Sequence, residues 1–156
     1  MLREVHLTDW TMQDVKTMNA REYACYLGHN LYQKRCKFDP LYTTNIMSGV
    51  VNGKPYLSYL DMYGTYLEGD YHVSGFAHHL GKPILVERWQ EGMDEAAAKD
   101  LLKDIMKVLW LRDSRAGNRI QFAKATASGV QFDEPVTLEI QDHESFLTVG
   151  LNPYYP

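Results

Sequence analysis

Apolar positions along this chain change period several times, and each change marks an element. From Asn19 onward, Tyr23, Leu27 and Leu31 recur at helical spacing, so one face is apolar through about Cys36. Asn19-Ala-Arg-Glu22 has capping-box spacing, with the Asn side chain placed to bond the backbone while Glu22 reaches back. Asp39-Pro40 is the expected stop. A strand-rich block follows. Residues 43–51 and 55–61 flank Asn52-Gly53, the dipeptide best suited to a type I′ hairpin turn. A third strand is predicted over 64–68 and a fourth over 70–73, while Gly49 inside the first marks close packing or a bulge.

Helical character returns over about 75–90, where Pro83 implies a kink, a break or a short non-helical link. The clearest element is 95–112. Asp94 caps it, Glu95 favours its positive end, and Ala98, Leu101, Leu102, Ile105, Val108 and Leu109 form an apolar stripe. Two strands close the pattern, about 118–126 and 130–140, joined at Ser128-Gly129, with Pro135 a point of interruption in the second. Residues 1–18 carry Leu7, Trp10 and Val15 too scattered to choose between a helix fragment and a loop, and the tail 141–156 reads as extended. The order is helix, strands, two helices, strands. That is an α+β layering, not the alternation of a nucleotide-binding βαβ fold, and it predicts one domain over 1–140 followed by the tail.

Composition narrows the function. The chain has 156 residues and a net charge of −4, so it lacks the basic field that a nucleic-acid surface needs. Its one basic cluster, Lys34, Arg35 and Lys37, sits at a predicted helix end, where solvated charge complementing the dipole explains it better than phosphate binding. No apolar run approaches the ~18 residues of a membrane span, and MLREVHLTDW lacks the apolar core of a signal peptide. Cys25 and Cys36, within one helix, are separated by roughly 16 Å of rise, too far to bridge. Reduced thiols without an export signal point to the cytoplasm or nucleus.

Candidate chemistry is sparse. His78 and His79 are adjacent, so on a helix they diverge by about 100° and suit surface or interface positions better than a shared metal. Residues 49–53 resemble a Gly-rich loop without the Gly-Lys-Ser/Thr ending of a phosphate cradle, and no GxSxG elbow occurs. Tyr56, Tyr59, Tyr63 and Tyr66 suit ligand stacking or, more simply, core and subunit contacts. The oddest residue is Asp113. It follows the long helix, where the dipole disfavours negative charge by about 0.3–1 kcal/mol. It either pairs with Arg115 or Arg119 or orients a group from elsewhere.

Arg112-Asp113-x-x-Ala116-Gly117, after a helix and before a strand, resembles the Arg-Asp-x-x-Ser-Gly signature of proteasome beta-type subunits. Gly64 fits that family's D-x-x-G turn, Ser74-Gly75 its Gly-Ser-Gly helix start, and Met93-Asp-Glu-Ala its entry into the long helix. The resemblance spans about Asn19 to Val136. Lys37-x-x-Pro40-Leu41-Tyr42, Tyr59-Leu60-Asp61-Met62-x-Gly64 and Arg112-Asp113-x-Arg115-x-x-Asn118-Arg119-x-Gln121 are similar to the non-catalytic type-4 branch, which takes the seventh position of eukaryotic beta rings.

The resemblance implies an αββα sandwich of the N-terminal-nucleophile hydrolase class. Active members use an amino-terminal Thr, tuned by an early Asp and Lys and by a later Asp and Ser. Carried over by position, Asp113 stands at the later Asp, Ala116 where active members have Ser, Gly117 after it, and Ser74 and Gly75 at the helix start. Ala116 removes a hydroxyl from any network around a nucleophile. The chain also begins within the family's first helical region, so the first strands, the Thr and the early Asp and Lys have no counterpart. These departures imply a structural subunit without peptidase activity of its own, and a sequence incomplete relative to the family, whose absent strands would leave edges unpaired. Neither cofactor nor metal is expected. Expected partners are beta subunits of the same and the opposite ring and alpha-ring subunits, with the helix 95–112 and the one before it as contact surfaces and the tail 141–156 reaching the opposite ring or fraying. Two other readings stand beside it: an active threonine endopeptidase whose start lies outside this sequence, and an unrelated α+β enzyme using His78, His79 or His143.

Overall fold

A computed structural model describes residues 18–139. The expectations for the first residues, for His143 and for the 141–156 tail lie outside them.

The first helix, α1 (Ala20–Cys36), starts as the sequence predicts. The Asn19 Oδ1 accepts the Glu22 N–H at 3.0 Å, and the Glu22 carboxylate accepts the Asn19 N–H at 2.8 Å. It stops before Asp39-Pro40, however. Phe38 takes a left-handed φ of 56°, its N–H bonds the Arg35 carbonyl, and the Asp39 N–H bonds the Lys34 carbonyl. That is a complete Schellman closure, which ends the helix without help from the proline.

Strands β1 (Asn45–Val51) and β2 (Lys54–Leu60) form the expected hairpin, pairing Val51 with Lys54 and Asn45 with Leu60. Asn52 and Gly53 have φ of 52° and 76°, the pair of left-handed residues a type I′ turn requires. The third strand is shorter than predicted, β3 (Tyr66–Glu68), antiparallel to β2, and residues 70–73 make no strand. Helix α1 lies on this sheet through Ala24, Leu27 and Leu31, which pack with Val51, Tyr56 and Leu60 into one core. Gly49 marks close packing, not a bulge: a Cβ there would stand 2.6 Å from the Ala20 Cβ.

Of the predicted kink, break or link, the structure has a break, and it falls at Gly81, just before Pro83. Helix α2 (Ala77–Leu80) ends at Gly81 and α3 (Lys82–Arg88) begins after it, with Pro83 in the first turn, where no helical N–H is needed. Gly81 also lets the long helix α4 (Glu95–Arg112) approach, since a Cβ would meet the Ile105 Cγ2 at 2.6 Å. Asp94 caps α4 through the Ala97 N–H at 2.7 Å. Leu85, Leu101, Ile105 and Leu109 make a second core. Leu102, expected on the buried stripe, is exposed.

The closing strands are more divided than predicted. Four short strands replace two: β4 (Arg119–Ile120), β5 (Ala123–Thr126), β6 (Gly129–Phe132) and β7 (Val136–Thr137). The turn residues of the β5–β6 hairpin are Ala127 and Ser128, with Gly129 in the strand that follows. Beyond it the chain bends at Asp133–Pro135, and β7 pairs with β4 instead of continuing β6. β5 lies against β1. Between the layers is a cavity of ≈ 680 Å³, bounded by Ile46 and Leu57 of the first sheet, Leu85 and Leu101 of the helices, and Ala123 and Ala125 of β5.

Candidate functional site

Asp113 is where the sequence concentrates its unused chemistry, and the fold gives it local work. Helix α4 runs to Arg112, and Asp113 leaves helical geometry with φ −107° and ψ 114° while its N–H still bonds the Leu109 carbonyl at 2.7 Å. Its side chain turns back over the following loop. Oδ1 accepts the Arg115 backbone N–H at 3.0 Å and lies 3.7 Å from the Arg115 Nε, while the Ala116 N–H donates to the Asp113 carbonyl at 3.0 Å. The carboxylate therefore closes an Asx turn that ends the helix, and this offsets its unfavourable place in the helix dipole. Of the two arginines expected to pair with it, Arg115 is the one in place.

The same arginine joins the turn to the second family-like position. Its guanidinium lies 5.2 Å from the centre of the Phe76 ring, directly after Ser74-Gly75. Gly75 has a left-handed φ of 62° and its carbonyl accepts the His78 N–H at 3.1 Å, so it starts the turn that leads into α2. Ser74 is exposed. Ala116 is half-buried, and Gly117 faces open space, where a Cβ would meet nothing within 4 Å. Thus Arg115 brings the Asp113 turn beside the helix start at Ser74-Gly75, and Ala116 offers only a methyl group between Asp113 and Gly117.

The D-x-x-G element is a second built turn. Asp61 Oδ1 accepts the N–H groups of Tyr63 at 2.8 Å and Thr65 at 3.0 Å, and its carbonyl accepts the Gly64 N–H. Gly64 is required twice: its φ is 80°, and a Cβ would fall 2.6 Å from the Tyr32 Cβ and 2.9 Å from the Gly28 carbonyl. The turn is what seats α1 on the sheet.

One polar group of the core escaped the sequence reading. Ser58 is fully buried, and it accepts the Tyr56 hydroxyl at 2.8 Å. Tyr56 meets the Tyr66 hydroxyl at 3.0 Å, Tyr66 donates to Glu68, and Glu68 pairs with Arg21 of α1 at 2.8 Å. Burial, aided by the bond to Glu68, pushes the Tyr66 hydroxyl far above its ordinary pKa, so it stays a donor. The Tyr66 bond in turn holds the Glu68 carboxyl below its usual range. The Ser58–Glu68 strand pairing underlies this chain, but pairing register is not visible without the fold. Tyr56 is thus a core tyrosine, and Tyr63 is exposed.

The rings of His78 and His79 lie edge-on, their planes at 80° and their centres 5.8 Å apart. Among the described residues no three His, Cys, Asp or Glu side chains are placed to hold a metal ion. Cys25 and Cys36 are free and exposed. No described helix is long and apolar enough to cross a membrane.

Two turns at family-like positions, an α+β architecture and a broken helix before a long one define a class of subunit, and comparison with known proteins identifies it. The chain belongs to the proteasome subunit family, whose pattern matches residues 3–125, starting before Asn19 and ending before Val136. It is 37% identical over 138 residues to proteasome subunit beta type-4 of Arabidopsis thaliana, which covers 88% of this chain and 56% of the relative. It is 30% identical over 140 residues to proteasome subunit beta type-4 of Dictyostelium discoideum, again 88% of this chain and 54% of the relative. The Xenopus laevis protein of that name is 33% identical over 116 residues, 73% of this chain and 48% of its own length. The chain spans about half the length of these relatives.

Proposed function

We propose that this protein is a structural, non-catalytic subunit of the proteasome core particle, holding a position in a beta ring. The observation that carries the reading is its likeness to beta type-4 subunits across most of the chain. The site supports it chemically. Asp113, at the position that serves a nucleophile's amine in active members, closes its own turn and pairs with Arg115. Ala116 supplies no hydroxyl.

In this reading α1, the two sheet layers and α2–α4 are part of an αββα sandwich of the N-terminal-nucleophile class. The partners are beta subunits of the same and the opposite ring and alpha-ring subunits, in the cytoplasm and nucleus.

The test is affinity purification of the tagged chain from its own cells, followed by sizing and identification of what comes with it. The chain is expected in a particle many times its own 18.0 kDa, together with other proteasome subunits. A monodisperse monomer would contradict the reading.

A further inference from the structure

The Schellman closure of α1 breaks a local rule. Its left-handed position, where glycine is the default, is held by Phe38 at φ 56°. A non-glycine residue there is held at a cost of about 1–2 kcal/mol, which buried side chains normally offset with packing. Phe38 has no such offset, being 97% exposed. Tyr42 is 84% exposed four residues on, and Leu41 is exposed beside it. An open cleft of ≈ 430 Å³ is lined by Arg35, Cys36, Phe38, Pro40 and Tyr42.

Two local contacts shape the loop that carries these residues. The Lys34 Nζ pairs with Asp39 at 2.7 Å, holding the Asp39 carboxyl below its ordinary range, and the Thr43 N–H donates to the Leu41 carbonyl at 2.8 Å. Once Lys34 and Asp39 neutralise one another, Arg35 and Lys37 remain, with no acidic partner among the described residues. A locally basic, aromatic cleft thus stands on a chain whose net charge is −4. Preformed aromatic anchors beside an arginine are the composition of a binding hot spot.

The geometry points to a docking cleft at the α1–β1 loop for a neighbouring subunit of the particle, one that presents an apolar side chain flanked by carboxylates. The apolar group seats between Phe38 and Tyr42, and the carboxylates meet Arg35 and Lys37. This rests on the ring-subunit reading above and names a surface that the reading does not.

Phe38→Gly separates docking from folding, because glycine relieves the left-handed strain. Tagged full-length chain carrying Phe38→Gly, or Arg35→Glu with Lys37→Glu, is expressed in its own cells beside the tagged wild type, and its share in the large particle is compared by sizing. Thermal stability of each soluble chain is read in the same lysates by its residual soluble fraction on heating. The inference predicts a share about tenfold lower for both variants, with Phe38→Gly no less heat-stable than wild type. Full incorporation of both variants overturns the docking cleft and leaves the ring-subunit reading standing. Reduced incorporation accompanied by lower heat stability of Phe38→Gly also overturns the cleft, assigning the loss to folding. Absence of the wild type itself from any large particle overturns the ring-subunit reading, and the cleft with it.

Discussion

The two cores of this protein are built differently. In the first, backbone lies against backbone: Gly49 admits Ala20, Gly64 admits Tyr32 and the Gly28 carbonyl, and a buried hydroxyl chain from Ser58 to Glu68 ties the sheet to Arg21 of α1. In the second, α4 packs on the broken pair α2–α3 through Leu85, Leu101, Ile105 and Leu109, with Leu85 and Leu101 also bounding the cavity and surface ion pairs reaching the closing strands. Lys99 bonds both Glu95 and Asp133 and lies 5.8 Å from the Phe122 ring, while Lys124 pairs with Glu95. The first core is fixed by shape. The second is less tightly closed, and ion pairs tie the start of α4 to the closing strands.

The largest expected effect lies in the first core. Gly64→Ala forces a left-handed residue and two contacts inside van der Waals range, and should destabilise by about 2–5 kcal/mol in urea unfolding. Gly117→Ala, at the family-like position that faces open space, should stay within about 0.5 kcal/mol. Equal effects would erase the distinction. Next come matched truncations: Leu31→Ala and Leu101→Ala each fall in the range of about 2–5 kcal/mol, with Leu31 the costlier. Leu31 is fully enclosed, whereas Leu101 already lines the cavity, where the neighbours can settle. Smaller again, Asn19→Ala should cost about 1 kcal/mol by removing half of the capping box.

The smallest effect is electrostatic and belongs to the second core. Glu95 is held down to about 2 by Lys124 and then by Lys99. A depressed carboxyl contributes stability above its unfolded pKa and loses it as pH falls through the folded one. The contribution of Glu95 should therefore be complete above about pH 4.5 and fade toward pH 2. Melting curves of Glu95→Gln should lie slightly below wild type at neutral pH and converge with it in acid. Parallel curves would show that these charges do not hold α4.

Local signals made the first core legible. The capping box and the Asn52-Gly53 turn are each written in a few adjacent residues, and so are both ends of α4, while at Gly49 the sequence left close packing or a bulge open. What the sequence concealed depends on partners distant along the chain. Asp39-Pro40 looked like the helix stop, yet Phe38 ends α1 by entering a conformation usually left to glycine. Pro83 marked the break to within two residues, but the closeness of Ile105 to Gly81 was not visible without the fold. The split of the closing strands follows from β7 choosing β4, a pairing that apolar alternation cannot show. At the site, the sequence offered Arg115 or Arg119 to Asp113, and the fold chose Arg115. The Arg115–Phe76 contact, which brings the two family-like turns together, needed the fold.

Asp113 closes its own turn and pairs with Arg115, and in the proposed reading it serves no nucleophile. Its most direct test is Asp113→Asn, which keeps the side chain's size and an acceptor for the Arg115 N–H, in proteasome particles purified from cells carrying only the variant. Every peptidase activity of the particle, measured with separate fluorogenic peptides and normalised to assembled particle, should match wild type. Selective loss of one activity from fully assembled particles would contradict the account and place Asp113 in catalysis.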